Sequence, residues 1–205
     1  MRLLDPMRKL LVTVLVLAGC ATTYPPYNGP PEFERRALAA VHAVAPCFSE
    51  KYNYRLYYVE NDDATAWCDS PDQIFMTWGL FRKYDDDSLR FIIAHEIAHL
   101  YLGHYAEIRA VSAVTTAGML AANFVVPGVG IFNHAVNPAV RKNFTKTREL
   151  EADKKAAEVC MKCLKMSQEK IIQTVSQFSG DGGFWASHPS VQDRIRNIRS
   201  QDLNK

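Results

Sequence analysis

Apolar residues recur at helical spacing over residues 33–44, at Phe33, Ala37, Leu38, Val41 and Val44, with Pro46 closing the segment. Steps of three and four put them on one stripe, which predicts an amphipathic helix. Residues 52–59 are dense in aromatics and predict a strand, and residues 73–77 predict a second. Over residues 87–105, Leu89, Ile92, Ile93, Ile97, Leu100 and Tyr101 form the buried side of another helix. Further helices are predicted over 149–166, 168–178 and 191–203, and no internal repeat is present. The pattern is α+β, a single mainly helical domain with a small β-sheet.

The N-terminal end of the chain reads differently. Arg2, Arg8 and Lys9 precede an apolar run over residues 10–18, an export signal too short to span a bilayer as a mature helix. It ends in Leu17-Ala18-Gly19-Cys20, which resembles the bacterial lipobox, where the signal is cut before the Cys and the Cys is acylated. The expected organisation is a lipoprotein signal peptide over 1–19, a lipidated Cys20 with a Pro-rich tether over 20–31, and a folded domain over 32–205. Ala21 follows the Cys where an Asp would resemble an inner-membrane retention signal. The expected location is therefore the outer membrane of a Gram-negative-type bacterium, facing the periplasm, with the lipid bilayer as a partner. Residues 111–131 are apolar, but Ser112, Thr115, Thr116, Asn123 and Pro127-Gly128 interrupt them. They read as a buried helix and loop, or as an apolar flap restricting access, rather than as a span.

Composition narrows the function. A chain of 205 residues with 48% apolar and 22% charged residues suits one compact domain and excludes disorder. Lys plus Arg at 24 against Asp plus Glu at 22 gives a net charge of +2, so no field points to nucleic acid. With Cys20 acylated, Cys47, Cys68, Cys160 and Cys163 remain, and an oxidising compartment makes two structural disulfides the expectation, with three pairings open. Cys160 and Cys163 form a lone C-x-x-C, with no second pair to complete a structural zinc site and no βαβ pattern around them.

The chemistry concentrates at His95-Glu96-Ile97-Ala98-His99. Residues four apart on a helix share a face, so both imidazoles can address one ion while Glu96 lies beside them. A catalytic zinc takes three protein ligands and keeps an open position. The third is expected from Glu149-Leu150-Glu151-Ala152-Asp153, where Glu149 and Asp153 share a helix face and Glu151 is turned away. Glu149 would bind the ion and Asp153 would accept a hydrogen bond from a ligating His, fixing its tautomer. His104 lies five residues beyond His99, about 140° off that face on a continuous helix, and reads as a residue behind the ligands or on the surface.

Together these motifs resemble the HtpX-like and CAAX-prenyl-protease-like zinc metallopeptidases, in particular their small exported lipoprotein members. That family pairs H-E-x-x-H with a Glu-x-x-Ala-Asp motif, matched here by residues 149–153, which makes Glu149 the third ligand. Phe144-Thr145-Lys146 is a diverged counterpart of the family's Tyr-Ser-Arg-like stretch. Residues 63–66 and 74–80 are similar to its edge strand and the turn into the zinc helix. Ser187-His188-Pro189-Ser190 and Arg194 are similar to its His-Pro segment and following Arg.

The resemblance implies a zincin-type fold with one zinc per chain and an edge strand flanking the H-E-x-x-H helix. The activity it implies is peptide hydrolysis with Glu96 as general base. His188 and Arg194 would stabilise the oxyanion; alternatively, His188 would close onto the metal until an envelope-assembly partner protein arrives. The strand at 74–77 would hold an extended substrate through its backbone, a mode that suits unfolded or misfolded envelope proteins and a quality-control role. The competing expectation is a chaperone-like or binding lipoprotein with a silenced or structural zinc site. An intact Glu96 argues for the enzyme.

Overall fold

Helix α1 (Pro31–Val44) opens with Pro31 in its first turn, where a missing N–H costs nothing, and with Glu32 and Glu34 against the positive end of the helix dipole. In this computed structural model, residues 29–48, 54–70, 72–104, 106, 107, 110, 133–178 and 189–201 are described. The signal segment, Cys20, most of the tether, residues 111–131 and His188 lie outside the described residues. Phe33, Ala37, Ala40, Val41 and Val44 bury one face of α1. Leu38, expected on that face, is 40% exposed. Pro46 sits inside a 3-10 turn (Ala45–Phe48) that prolongs the helix.

The sheet has three strands, β1 (Arg55–Val59), β2 (Ala66–Ser70) and β3 (Gln73–Thr77), in the order β1-β3-β2. β1 runs parallel to β3, and β2 runs antiparallel to it. This corrects the expected edge strand. β3 (Gln73–Thr77) is central and its backbone groups are paired on both sides, so the edge strand beside the zinc-motif helix is β2. Ala66-Trp67-Cys68-Asp69-Ser70 escaped sequence reading because Ala, Asp and Ser disfavour strands and no alternation marks it. Pairing makes it a strand: Trp67 lies opposite Phe75, and their rings stack with centroids 5.1 Å apart.

Helix α2 (Trp78–Lys83) follows β3 directly, and α3 (Asp86–Tyr101) begins at an N-cap, Asp85, whose carboxylate accepts a hydrogen bond from Ser88 N at 2.8 Å. Leu89, Phe91, Ile92, Ile93, Ile97 and Ala98 are fully buried, so α3 is the axis of the domain, packed against α1, β2 and the long α4 (Asn133–Lys162). Several helix bounds differ from expectation, among them the ends of α4 at Lys162 instead of 166 and of the last helix at Arg199 instead of 203. α3 stops at Tyr101 instead of residue 105, because Gly103 takes the left-handed conformation (φ 74°) that favours glycine. α4 begins sixteen residues before the predicted 149, in a polar stretch without an apolar stripe.

Helices α5 (Gln168–Ser176) and α6 (Val191–Arg199) complete the described fold. A Cys47–Cys163 disulfide ties the 3-10 turn to the end of α4. Among the described residues it is one bridge and not the expected two: Cys68 and Cys160 are free thiols. Cys160 is fully buried in the core, whereas Cys68 lies on β2 against α3. Among the described residues no helix is long and apolar enough to cross a membrane.

Candidate metal centre

α3 carries His95 and His99 one turn apart, and α4 crosses it to deliver Glu149 and Asp153 from a second helix. His95 Nε2 and His99 Nε2 are 3.1 Å apart. Glu149 Oε2 lies 3.1 Å from His95 Nε2, and Glu149 Oε1 lies 3.4 Å from His99 Nε2. The two Nε2 atoms face each other at a distance that a shared proton or a bound metal cation can bridge. Tetrahedral ligation with bonds of about 2.0–2.1 Å sets ligand atoms about 3.3 Å apart, close to all three separations. The trio of His95, His99 and Glu149 therefore fits a zinc ion in both donor chemistry and spacing.

Behind His95, its Nδ1 lies 3.0 Å from Asp153 Oδ1. Arg194 in α6 donates to the same carboxylate twice, through Nε at 2.7 Å and Nη2 at 2.6 Å. Burial disfavours the Asp153 anion, but Arg194 and His95 outweigh it and hold the carboxyl near pKa about 2. His95 is likewise buried at a cost to its charged form, which Asp153 and Glu149 outweigh, raising it to about 10. Two carboxylates thus surround this imidazole, as a cation site needs. The structure places Asp153 where the sequence put it. Arg194 is buried behind Asp153, a place different from the oxyanion contact implied by resemblance.

Glu96 is buried close enough to His95, His99 and Glu149 to feel the charge of each, and its Oε1 has no hydrogen-bond partner among the described residues. Burial raises its pKa against the pull of His95 and His99, which suits a base that accepts a proton. The edge strand runs alongside: Cys68 Sγ is 3.7 Å from the Glu96 carbonyl oxygen. Burial pushes the Cys68 thiol well up, with Glu96 adding to the effect, so this Cys stays a neutral thiol.

Sequence reasoning gave His104 no defined contact. The turn at Leu102-Gly103 swings it back, so that its Nδ1 lies 3.1 Å from His99 Nδ1 and its Nε2 lies 3.1 Å from Glu151 Oε2. His104 is only 2% exposed, so it is not on the surface. Glu151 is turned from the ligand cluster, as predicted, and it also pairs with Arg148 at 2.6 Å. Gly103 was the available signal, since a glycine two residues past the last helical residue marks a helix end.

A helix-borne His-Glu-x-x-His joined by a Glu from a second helix, with an Asp behind one ligand, makes a helix-framed candidate metal centre with a Glu beside it. The profile of Peptidase family M48 matches residues 32–202, and the chain belongs to that family. The chain is similar to Metalloprotease YcaL of Escherichia coli (strain K12), with 24% identity over 73% of this chain and 61% of that protein. It is also similar to Protease HtpX of Stutzerimonas stutzeri (strain A1501), with 22% identity over 70% of this chain and 64% of that protein. Against Protease HtpX of Pseudomonas paraeruginosa the figures are 23%, 70% and 63%. The chain spans under two thirds of the length of these relatives.

Proposed function

We propose that this chain is a zinc metalloendopeptidase that hydrolyses peptide bonds in unfolded or misfolded proteins of the cell envelope. The observation that carries the reading is the convergence of His95, His99 and Glu149 on one point, with the buried Glu96 carboxyl next to it. Zinc bound there would supply Lewis acidity and a more acidic water. Glu96 takes the proton of the attacking water and returns it to the leaving amine. Asp153, held by Arg194, keeps His95 in the tautomer that offers its Nε2 lone pair. An extended substrate pairs with the outer edge of β2, which offers backbone groups and little side-chain selectivity.

The lipid anchor at Cys20 and an outer-membrane location facing the periplasm belong to the same reading. The Cys47–Cys163 disulfide supports it, because such bridges persist in oxidising compartments. The binding-protein alternative has no use for a buried carboxyl beside the ligands.

Glu96→Gln keeps the size of the side chain and removes its basicity. Zinc content should stay at the wild-type value while hydrolysis of a casein-type substrate falls by about a hundred- to ten-thousand-fold. Wild-type proteolysis with the metal still bound would sink the peptidase reading and favour the binding protein.

A further inference from the structure

Each ligand imidazole is backed through its Nδ1 by a chain of side chains that ends on an arginine. For His95 the chain is Asp153 and then Arg194. For His99 it runs through another imidazole: His104, then Glu151, then Arg148, whose second arm pairs with Glu107 at 2.9 Å.

Hydrogen-bond accounting along the second chain gives each ring one arrangement. Arg148 donates to Glu151, and an ionised carboxylate can only accept. His104 must therefore donate from Nε2 to Glu151, which in a neutral ring leaves Nδ1 as an acceptor. His99 meets that acceptor with its own Nδ1, so it must carry its proton there. Its Nε2 is left with a free lone pair, aimed at His95 Nε2 and Glu149. His104 is itself no ligand, because it contacts His99 on the side of the ring away from that convergence.

The backbone is bent to make this contact. A continued helix would carry residue 104 about 140° off the His99 face, whereas α3 ends at Tyr101, Gly103 is left-handed, and the His104 imidazole is buried against His99. Glu151, by contrast, is 44% exposed on its side chain. A packing role alone would be served by an apolar side chain and would not need a carboxylate at the far nitrogen.

We propose that His104 is a positioning residue for His99, fixing its tautomer and ring orientation, with Glu151 fixing the tautomer of His104 in turn. The inference rests on the metal-centre reading above. It assigns Glu151, inside the third-ligand motif, a role through two imidazoles and without contact to the ion.

The test uses the full chain as wild type, His104→Leu, His104→Asn and Glu151→Gln. Zinc affinity is measured by chelator competition, the visible spectrum is recorded with cobalt(II) in place of zinc, and the thermal midpoint of the metal-free protein reports the fold. His104→Leu should bind zinc about 10- to 100-fold more weakly and shift the cobalt spectrum. His104→Asn, whose Oδ1 takes the place of the Nδ1 acceptor, should recover most of the affinity. Glu151→Gln should lie between, because its amide no longer dictates which His104 nitrogen carries the proton. Wild-type affinity and spectrum in both His104→Leu and Glu151→Gln would overturn the proposal. If His104→Leu does not fold, wild-type behaviour of Glu151→Gln overturns it alone. Wild-type protein that binds no zinc would remove the metal-centre reading and this inference with it. Zinc bound equally tightly by wild type and variants would remove only this inference.

Discussion

Arg194 and Asp153 form a bidentate pair in which neither side chain reaches solvent. The pair joins α6 to α4 and stands directly behind His95, so it links the stability of the domain to the ligand geometry. Removing one partner of such a pair strands the other charge in the interior. Arg194→Ala should lower unfolding stability by about 3–5 kcal/mol in urea titrations of the metal-free protein. Arg194→Lys should fare little better, because a single ammonium cannot reproduce the two-pronged contact. A loss below about 1 kcal/mol for Arg194→Ala would mean that Asp153 finds another partner.

Glu149 and Glu151 are two residues apart on α4 and have opposite relations to the two ligand imidazoles. Glu149 lies within 3.4 Å of both imidazole Nε2 atoms, whereas Glu151 meets only the outer side of His104 and Arg148. At saturating zinc, elemental analysis should find about one metal in Glu151→Ala and little in Glu149→Ala. The reverse pattern would show that the third ligand has been misassigned.

The legible part of this site was the part that helical periodicity encodes. His95, His99, Glu149 and Asp153 all sit at i, i+4 spacing on continuous helices, so the sequence alone places each pair on one face. What depended on a break in the helix or on a partner strand was hidden. His104 reaches His99 only because α3 breaks at Gly103, and a helix assumed to run to residue 105 sends it elsewhere. β2 becomes a strand through its partner, and β3, with the stronger apolar signal, is central for that same reason: it is the strand buried by both neighbours. The disulfide pairing is a matter of which helix ends meet in space, and Cys spacing carries no record of that.

Asp85 caps α3 and also pairs with Lys170 of α5 at 2.5 Å. Burial opposes its charge, but Lys170 and the Ser88 amide outweigh it and lower the carboxyl to about 2. An unfolded Asp titrates near about 3.9, so the ionised cap stabilises the fold above that pH and the contribution fades as pH falls towards 2. Asp85→Asn retains a capping oxygen and removes the charge. The stability difference between wild type and Asp85→Asn should be about 1 kcal/mol or less at neutral pH, since the Asp85 side chain is 56% exposed. It should vanish by about pH 2. A difference that grows on acidification would refute this assignment.

Gly79 marks the point where the start of α2 presses on the loop that leads into β2. Its amide donates to Asn61 O at 2.9 Å, and a Cβ at this position would run into the Asp62 carbonyl. Both sides of the clash are backbone, so no flexible side chain can swing away, and the loop itself must move. That loop is held to β3 by Thr77, whose hydroxyl donates to Asp63 O at 2.5 Å and whose amide donates to Thr65 O at 3.0 Å. Displacing it strains these bonds and shifts the first residue of the edge strand that lies along the Glu96 side of α3. Gly79→Ala gains up to about 1 kcal/mol in helix propensity, and the overpacking penalty of about 1–3 kcal/mol should outweigh it. Urea unfolding should therefore show a net loss of stability. If β2 carries the substrate, KM should rise in Gly79→Ala by more than kcat falls, because Glu96 and the ligands sit on α3 and α4, which the clash does not touch. An unchanged KM in a variant with the expected stability loss would separate the edge strand from substrate binding.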